Sequence, residues 1–427
     1  MSRFNVSTDH VTPYDRFCRS DIEVERLLVA GEQAQVLAAY FGAREYRDLQ
    51  QLARAAAQQT PVASRPHVFV VPGILGTQLG LRRRAPLPDD VLWLDPLDIQ
   101  GGRLLWLDPA QNAPIIPLGA VLYSHLKLKL WLRLAGFSVT LYDYDWRLDI
   151  GTLGEELAAR LGAHADGPVA IVAHSMGGLV TRVALARPNT AHVERVVLLG
   201  TPNGGAFSPL QALRGTYAVV QNIARLDLHH SSVELAERVW TGFPSLYQML
   251  PGVNGHGPDL TDLRRWPASA PSPRPALLAR ARQLHAALPQ PDARFTAIAG
   301  VGRATVTAAQ PSEAGFVYTV TRGGDGTVPT ASAAPPGMRA YFTGAAHSDL
   351  TRDGQVAAAV IDVLTTGATA RLPRQWRSRA RAHATVTDAQ LLAQRADKLD
   401  WARLEPAQRQ AFLDQLNAPE PLRLRVD

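Results

Sequence analysis

The chain has 427 residues, 46% of them hydrophobic, and a single cysteine, Cys18. That length and apolar content suit one large catalytic unit with appendages, and one cysteine excludes an intramolecular disulfide or a cysteine-built metal site. The formal charge of +6 is carried largely by Arg82-Arg83-Arg84 and by Arg371, Arg374, Arg377, Arg379 and Arg381 around Trp376. No nucleic-acid module accompanies these clusters, so nucleic acid is discounted as a partner; a solvated surface and peripheral contact with an anionic membrane both stay open. The first residues lack the apolar core of a secretory signal, and no run of about 18 uncharged apolar residues appears, so a soluble cytoplasmic protein is expected.

In chain order, residues 1–66 form a helical N-terminal extension. Ser20-Asp21-Ile22-Glu23 has the pattern of a capping box ahead of an apolar stripe of Ile22, Val24, Leu27 and Leu28. Tyr46, Leu49, Leu52 and Ala56 follow at helical spacing, and a polar connector leads to His67. From there to residue 370 strands and helices alternate, which predicts an α/β fold with a mostly parallel central sheet and helices on both faces. The predicted strands are His67–Val71, Ser138–Tyr142, Val169–Ala173, Arg195–Leu199, Arg294–Ala299, Phe316–Thr321 and Met338–Phe342. The predicted helices are Ser124–Ala135, Leu153–Leu161, Gly178–Ala186 and Gly354–Thr366.

A long insertion, about 204–291, interrupts this alternation. Leu210, Leu213, Tyr217, Val220 and Ile223 recur there on one helical face, and a second amphipathic segment runs from Val233 to Trp240. Beside the catalytic edge of a sheet, such an insertion would form a lid. Residues 371–427 form a basic, helical C-terminal extension. Thr387-Asp388-Ala389-Gln390 opens a helix with Leu391, Leu392, Leu399 and Trp401, and Pro406 opens another with Phe412, Leu413 and Leu416. The terminal helices dock on the main domain or on a protein partner.

Val172-Ala173-His174-Ser175-Met176-Gly177-Gly178 lies between the strand Val169–Ala173 and the helix from Gly178. A serine flanked by small residues between strand and helix is the nucleophile-elbow pattern, although Ala173 stands where the first glycine is usual. The turn aims the serine oxygen at the helix N-terminus, where the Met176 N–H can meet an oxyanion. A second N–H is expected from the loop Val71-Pro72-Gly73-Ile74-Leu75-Gly76-Thr77.

A serine nucleophile needs an oriented base, and in this fold the order is Ser, acid, His. Asp325 sits in the glycine turn Gly323-Gly324-Asp325-Gly326, and His347 in the small-residue loop Gly344-Ala345-Ala346-His347. An ordinary Asp-Gly turn is the competing reading for Asp325. His174 neighbours the serine but points to the opposite face, and His229 and His230 have no recognisable carboxylate partner. No ligand cluster emerges, so no metal and no cofactor are expected.

Together these pieces resemble the lecithin–cholesterol acyltransferase family of α/β-hydrolases. The resemblance spans about residues 67–366 and rests on Val71-Pro72-Gly73-Ile74-Leu75-Gly76, Trp93-Leu94-Asp95-Pro96, Tyr144-Asp145-Trp146-Arg147, Ala173-His174-Ser175-Met176-Gly177-Gly178, Thr201-Pro202-Asn203-Gly204-Gly205, Gly324-Asp325-Gly326-Thr327-Val328-Pro329 and Ala346-His347. It implies an α/β-hydrolase fold and an acyl-enzyme mechanism on a lipid or other hydrophobic ester. Ser175 would attack, His347 shuttle the proton, Asp325 orient His347, Leu75 and Met176 donate to the oxyanion, and Trp146 contact the substrate or pack beneath the lid, with Arg147 in a salt bridge. The terminal extensions and the missing lid disulfide depart from the family pattern. The expected activity is that of a phospholipase A or lipase; an acyltransferase shares the same chemistry, and a partner-binding module with little catalysis is the reading from another class.

Overall fold

The short β-branched runs after His67 pair side by side. The computed structural model describes residues 11–164, 167–252, 258–377, 384–395 and 397–417. Its strands are β1 (His67–Val71), β2 (Thr77–Leu81), β3 (Asp90–Trp93), β4 (Ile116–Ala120), β5 (Val139–Leu141), β6 (Val169–His174), β7 (Val193–Leu199), β8 (Phe295–Gly300), β9 (Arg303–Ser312), β10 (Gly315–Gly324), β11 (Arg339–Thr343) and β12 (Ala384–Thr387). Six of them build the central sheet in the order β11-β8-β7-β6-β1-β5, with every pairing parallel.

Alternate residues of the inner strands feed two separate cores, which explains why their sequences are continuously apolar. Phe69, Val71, Ile171 and Leu198 pack with the helices Ile150–Gly162 and Gly177–Ala184. Val68, Val70, Val172 and Val197 pack with the helices Leu122–Leu134 and Gly354–Thr366. The chain has the α/β-hydrolase fold, a parallel sheet covered on both faces. Val71 lies opposite Ala173, and Ala173 opposite Leu198, so the loops leaving β1, β6 and β7 emerge at one edge. In open α/β sheets that edge is where ligands bind.

One strand is not where the sequence places it. Phe316–Thr321 belongs to β10, which pairs antiparallel with β9 and β12 in a separate sheet. Phe316, Tyr318 and Val320 are buried while Val317, Thr319 and Thr321 are half-buried. That period of two marks an antiparallel sheet with one wet face, not a doubly covered parallel strand. A third sheet, β3-β2-β4, follows the β1 loop.

Four helices lie in the described part of the N-terminal extension, Pro13–Arg16, Asp21–Ala30, Ala34–Phe41 and Ala43–Ala57. Val24, Leu27 and Leu28 are buried, but Ile22 is 73% exposed because it falls off their i, i+3, i+4 stripe. Only half of the expected capping box forms: Ser20 accepts from the Glu23 N–H, while the Glu23 carboxylate turns to Arg19. Buried Glu25 pairs with Lys129 and Arg133, tying this layer to the helix Leu122–Leu134. Arg83 is also no solvated charge; it is buried between Asp15 at 3.2 Å and Asp90 at 3.1 Å.

The insertion contains the helices Ser208–Leu213, Ala218–Leu226, Ser232–Arg238, Pro244–Gln248 and Pro275–Ala287. The single face expected from Leu210 to Ile223 is therefore two helices, broken at Gly215, whose φ is +71°. At the C-terminus the Thr387–Gln390 capping box forms, but its helix stops at Ala393, so Leu399 and Trp401 lie beyond it. Arg379 and Arg381 lie outside the described residues. Among the described residues no helix is long and apolar enough to cross a membrane.

Asp388 binds the C-terminal segment to the rest. Its buried carboxylate accepts from Arg214 Nε at 3.0 Å, the Phe316 N–H at 3.0 Å and the Tyr318 hydroxyl at 2.7 Å. Lys398 Nζ donates to the carbonyls of Ala224, Asp227 and His230, where the helix Ala218–Leu226 ends. Removing one partner leaves the other charge buried alone. Asp388→Ala is expected to lower unfolding stability by about 3 kcal/mol or more, read from denaturant midpoints.

Candidate active site

Ser175 stands between β6 and the helix Gly177–Ala184 with φ +53°, a left-handed conformation that disfavours a side chain. Its N–H donates to the Leu199 carbonyl at 2.8 Å, which fixes the turn against β7. The glycine that follows is compulsory. A Cβ at Gly177 would lie 2.3 Å from the Pro72 carbonyl oxygen and 2.6 Å from that of Val71.

Asp325 arrives from β10, outside the central sheet, and is 1% exposed. Its Oδ1 accepts from the Thr327 and Val328 N–H groups at 2.9 and 2.7 Å. Oδ2 meets His347 Nδ1 at 2.8 Å, and His347 Nε2 lies 2.9 Å from Ser175 Oγ. The His347 N–H also donates to the Asp325 carbonyl at 3.0 Å, so backbone and side chain are held together. Gly200, with φ +59°, was not singled out by its sequence; a Cβ there would come within 3.0 Å of both Asp325 Oδ2 and His347 Nδ1. Only the crowding of three distant segments reveals that position.

His174 does not contact the serine oxygen. Its Nε2 donates to the His347 carbonyl at 2.9 Å. His230 does have a carboxylate partner, with Nδ1 3.0 Å from Asp227 Oδ2 in the cap, but neither His229 nor His230 lines the cavity. The pairing is local to that loop, three residues apart, and carries no recognisable motif.

Ser175, His347 and Asp325 open on a cavity of about 370 Å³. Val219, Val220, Ile223 and Met249 of the insertion wall it, with Leu416 from the C-terminal helix Pro406–Asn417. Trp146 is not part of this lining. It is fully buried, donates Nε1–H to the Thr77 carbonyl at 2.9 Å, and packs edge-on against Trp93 and Phe243. Trp240 reaches the cavity instead, stacked edge-on against the same two rings. Arg147 pairs with Asp145 at 2.6 Å.

The loop after β1 folds back through a Gly76 N–H to Gly73 carbonyl bond of 3.1 Å. Leu75 takes a φ of +66°, and its carbonyl accepts from Trp93 Nε1 at 3.0 Å. The N–H groups of Ile74, Leu75 and Met176 have no acceptor among the described residues. The family resemblance pointed to Leu75 and passed over Ile74, because nothing in an apolar side chain marks an amide that only the turn frees.

Residues 136–269 match the family model of lecithin:cholesterol acyltransferase. The matched segment is one part of the chain. It holds Tyr144-Asp145-Trp146-Arg147, the Ser175 elbow and most of the cap, whereas Asp325 and His347 lie beyond it. No curated protein matches the chain. Among solved structures, the mature lipase BlEst2 of Bacillus licheniformis is similar at 15% identity over 71% of this chain and 94% of that one, with a TM-score of 0.39. The Tle4–Tli4 complex matches at 14% identity over 74% and 100%, with a TM-score of 0.44. A metagenomic carboxyl esterase, MGS0156, matches at 14% identity over 67% and 66%, with a TM-score of 0.32.

The strained serine offers a test independent of chemistry. Both Ser175→Gly and Ser175→Ala lack the hydroxyl, but only glycine relieves the left-handed φ. Ser175→Gly is expected to be the more stable of the two by about 1 kcal/mol, measured by denaturant unfolding.

Proposed function

We propose that the protein is a serine-dependent lipid ester hydrolase, of phospholipase A or lipase type, working through an acyl-enzyme. The observation that carries this reading is the continuous chain Ser175 Oγ–His347 Nε2–His347 Nδ1–Asp325 Oδ2, at 2.9 and 2.8 Å, beneath an apolar cavity. A carboxylate accepts at Nδ1, so Nε2 is left with the lone pair that takes the serine proton. Oγ bonds to the ester carbon, the carbonyl oxygen becomes an oxyanion, and His347 returns the proton to the departing alcohol as its C–O bond breaks. Water then attacks the acyl-serine by the same relay in reverse, releasing the acid. In this reading the Met176 and Leu75 N–H groups receive the oxyanion, with Ile74 as a further donor. Trp146 then acts by packing behind Trp240.

Residues 67–370 would be the catalytic domain, 204–291 its cap, and 1–66 and 371–427 extensions bound to it. Trp376, exposed beside Gly302 with Arg371, Arg374 and Arg377 around it, supports approach to an anionic lipid surface. Cytoplasmic residence, with the lone Cys18 reduced, is part of the same proposal. An acyltransferase is the second reading, favoured by the match over residues 136–269. It requires an alcohol to reach the acyl-serine in place of water.

The test is product analysis by mass spectrometry on mixed phospholipid vesicles and emulsified triglyceride, with and without an added alcohol. Ser175→Ala is expected to cut fatty acid release by about 10³-fold or more, and Asp325→Asn by about 10⁴-fold through the wrong imidazole tautomer. Acyl transfer to the added alcohol in excess of free acid identifies the acyltransferase. Release unchanged in Ser175→Ala would overturn the mechanism.

A further inference from the structure

Two histidines in the cavity wall take no part in the relay. His125, on the helix Leu122–Leu134, is 1% exposed, and its Nδ1 lies 3.1 Å from the Val121 carbonyl oxygen. A carbonyl oxygen only accepts, so Nδ1 carries the proton and Nε2 is a bare acceptor. That Nε2 is buried and has no hydrogen-bond partner among the described residues. His174 is constrained the same way. Its Nε2 donates to the His347 carbonyl, and its Nδ1 receives no donor among the described residues. The two rings meet edge-on with centroids 6.2 Å apart.

Both rings stay neutral. Burial brings His125 down to about 4. Burial, together with the neighbouring His347 and His125 imidazoles, holds His174 well below the ordinary histidine value. The corner therefore holds acceptors without donors, one of them, His125 Nε2, buried behind the cavity lining. It is also close to the chemistry. A Cβ on Gly73 would lie 2.7 Å from Ser175 Cβ and 3.4 Å from His174 Nδ1, and one on Gly76 would lie 3.2 Å from His125 Cε1. Nucleophile and both imidazoles thus flank one loop. A hydrocarbon placed in this corner leaves buried acceptors unpaired, whereas a hydroxyl donates to one of them.

We propose that His125 and His174 form a hydroxyl-recognition subsite, so that the preferred substrates are partial esters of a polyol, carrying a free hydroxyl next to the scissile ester. This deepens the ester-transfer reading and rests on it.

The test compares 1-octanoylglycerol with its 2,3-di-O-methyl ether, which keeps the ester and the chain but has no hydroxyl to donate. Binding is measured by calorimetry on full-length Ser175→Ala protein, which holds the ester without turning it over. The hydroxyl ester is expected to bind about tenfold more tightly or better, the net contribution of one hydrogen bond to a neutral acceptor. Adding His125→Leu should reduce that ratio to near one, and His125→Asn, which keeps an acceptor oxygen, should restore part of it. Equal affinities in Ser175→Ala, binding of neither probe, or a ratio unchanged by His125→Leu would each overturn the subsite. The last is the result expected if a fixed water alone satisfies Nε2. Should His125→Leu fail to fold, the two-probe comparison in Ser175→Ala decides by itself. Failure of the ester-transfer reading shows separately, as wild-type protein that binds octanoylglycerol and releases no octanoate.

Discussion

His347 is held from several directions at once, and the rest of the site depends on that restraint. Its ring bridges Ser175 Oγ and Asp325 Oδ2, its N–H donates to the Asp325 carbonyl, and its carbonyl accepts from His174. An imidazole tied only through its ring could swing on its χ angles and lose the serine. Anchoring the backbone on both sides leaves the ring few alternatives. The anchors come from β6, from the end of β10 and from the loop after β11, so the restraint exists only when all three are in place.

The same dependence explains where glycine and strain accumulate. Ser175 and Leu75, two of the few non-glycine residues with positive φ, both line the cavity. Such conformations persist only where the surrounding structure over-determines them. Here the Leu199 carbonyl holds the serine turn, and the indole of Trp93 holds Leu75. Trp93 in turn packs on Trp146 and Trp240, so the aromatic cluster behind the cavity supports the β1 loop rather than simply filling volume.

The terminal extensions are part of this architecture. Glu25, with Lys129 and Arg133, fastens the N-terminal helices to the Leu122–Leu134 helix that carries His125. Asp388 and Lys398 fasten the C-terminal segment to the cap, and Leu416 from the last described helix reaches the cavity itself. Both extensions, where described, therefore pack on elements that line or back the cavity.

Much of the central sheet was legible because doubly buried parallel strands write themselves as short apolar runs, as in Val169–Ala173, and because the helix that follows begins at a small-residue turn. The order of Ser175, Asp325 and His347 was legible for a similar reason, since each sits in a local pattern of glycines and small residues. Other features were not. Ile22 looked like core and Arg83 like surface, because burial depends on what an element packs against. β10 looked like one more central strand, because an apolar run alone does not name its partner. Gly200 and the acceptor nitrogens of His125 and His174 left no pattern at all, and Trp240 stood out only as the end of an amphipathic segment. Short-range constraints of turn, period and capping were set by the sequence itself, for they act between neighbours along the chain. Which side chains face the cavity, and which imidazole nitrogen carries a proton there, was decided only by tertiary structure, because carbonyls and carboxylates from remote segments make that choice.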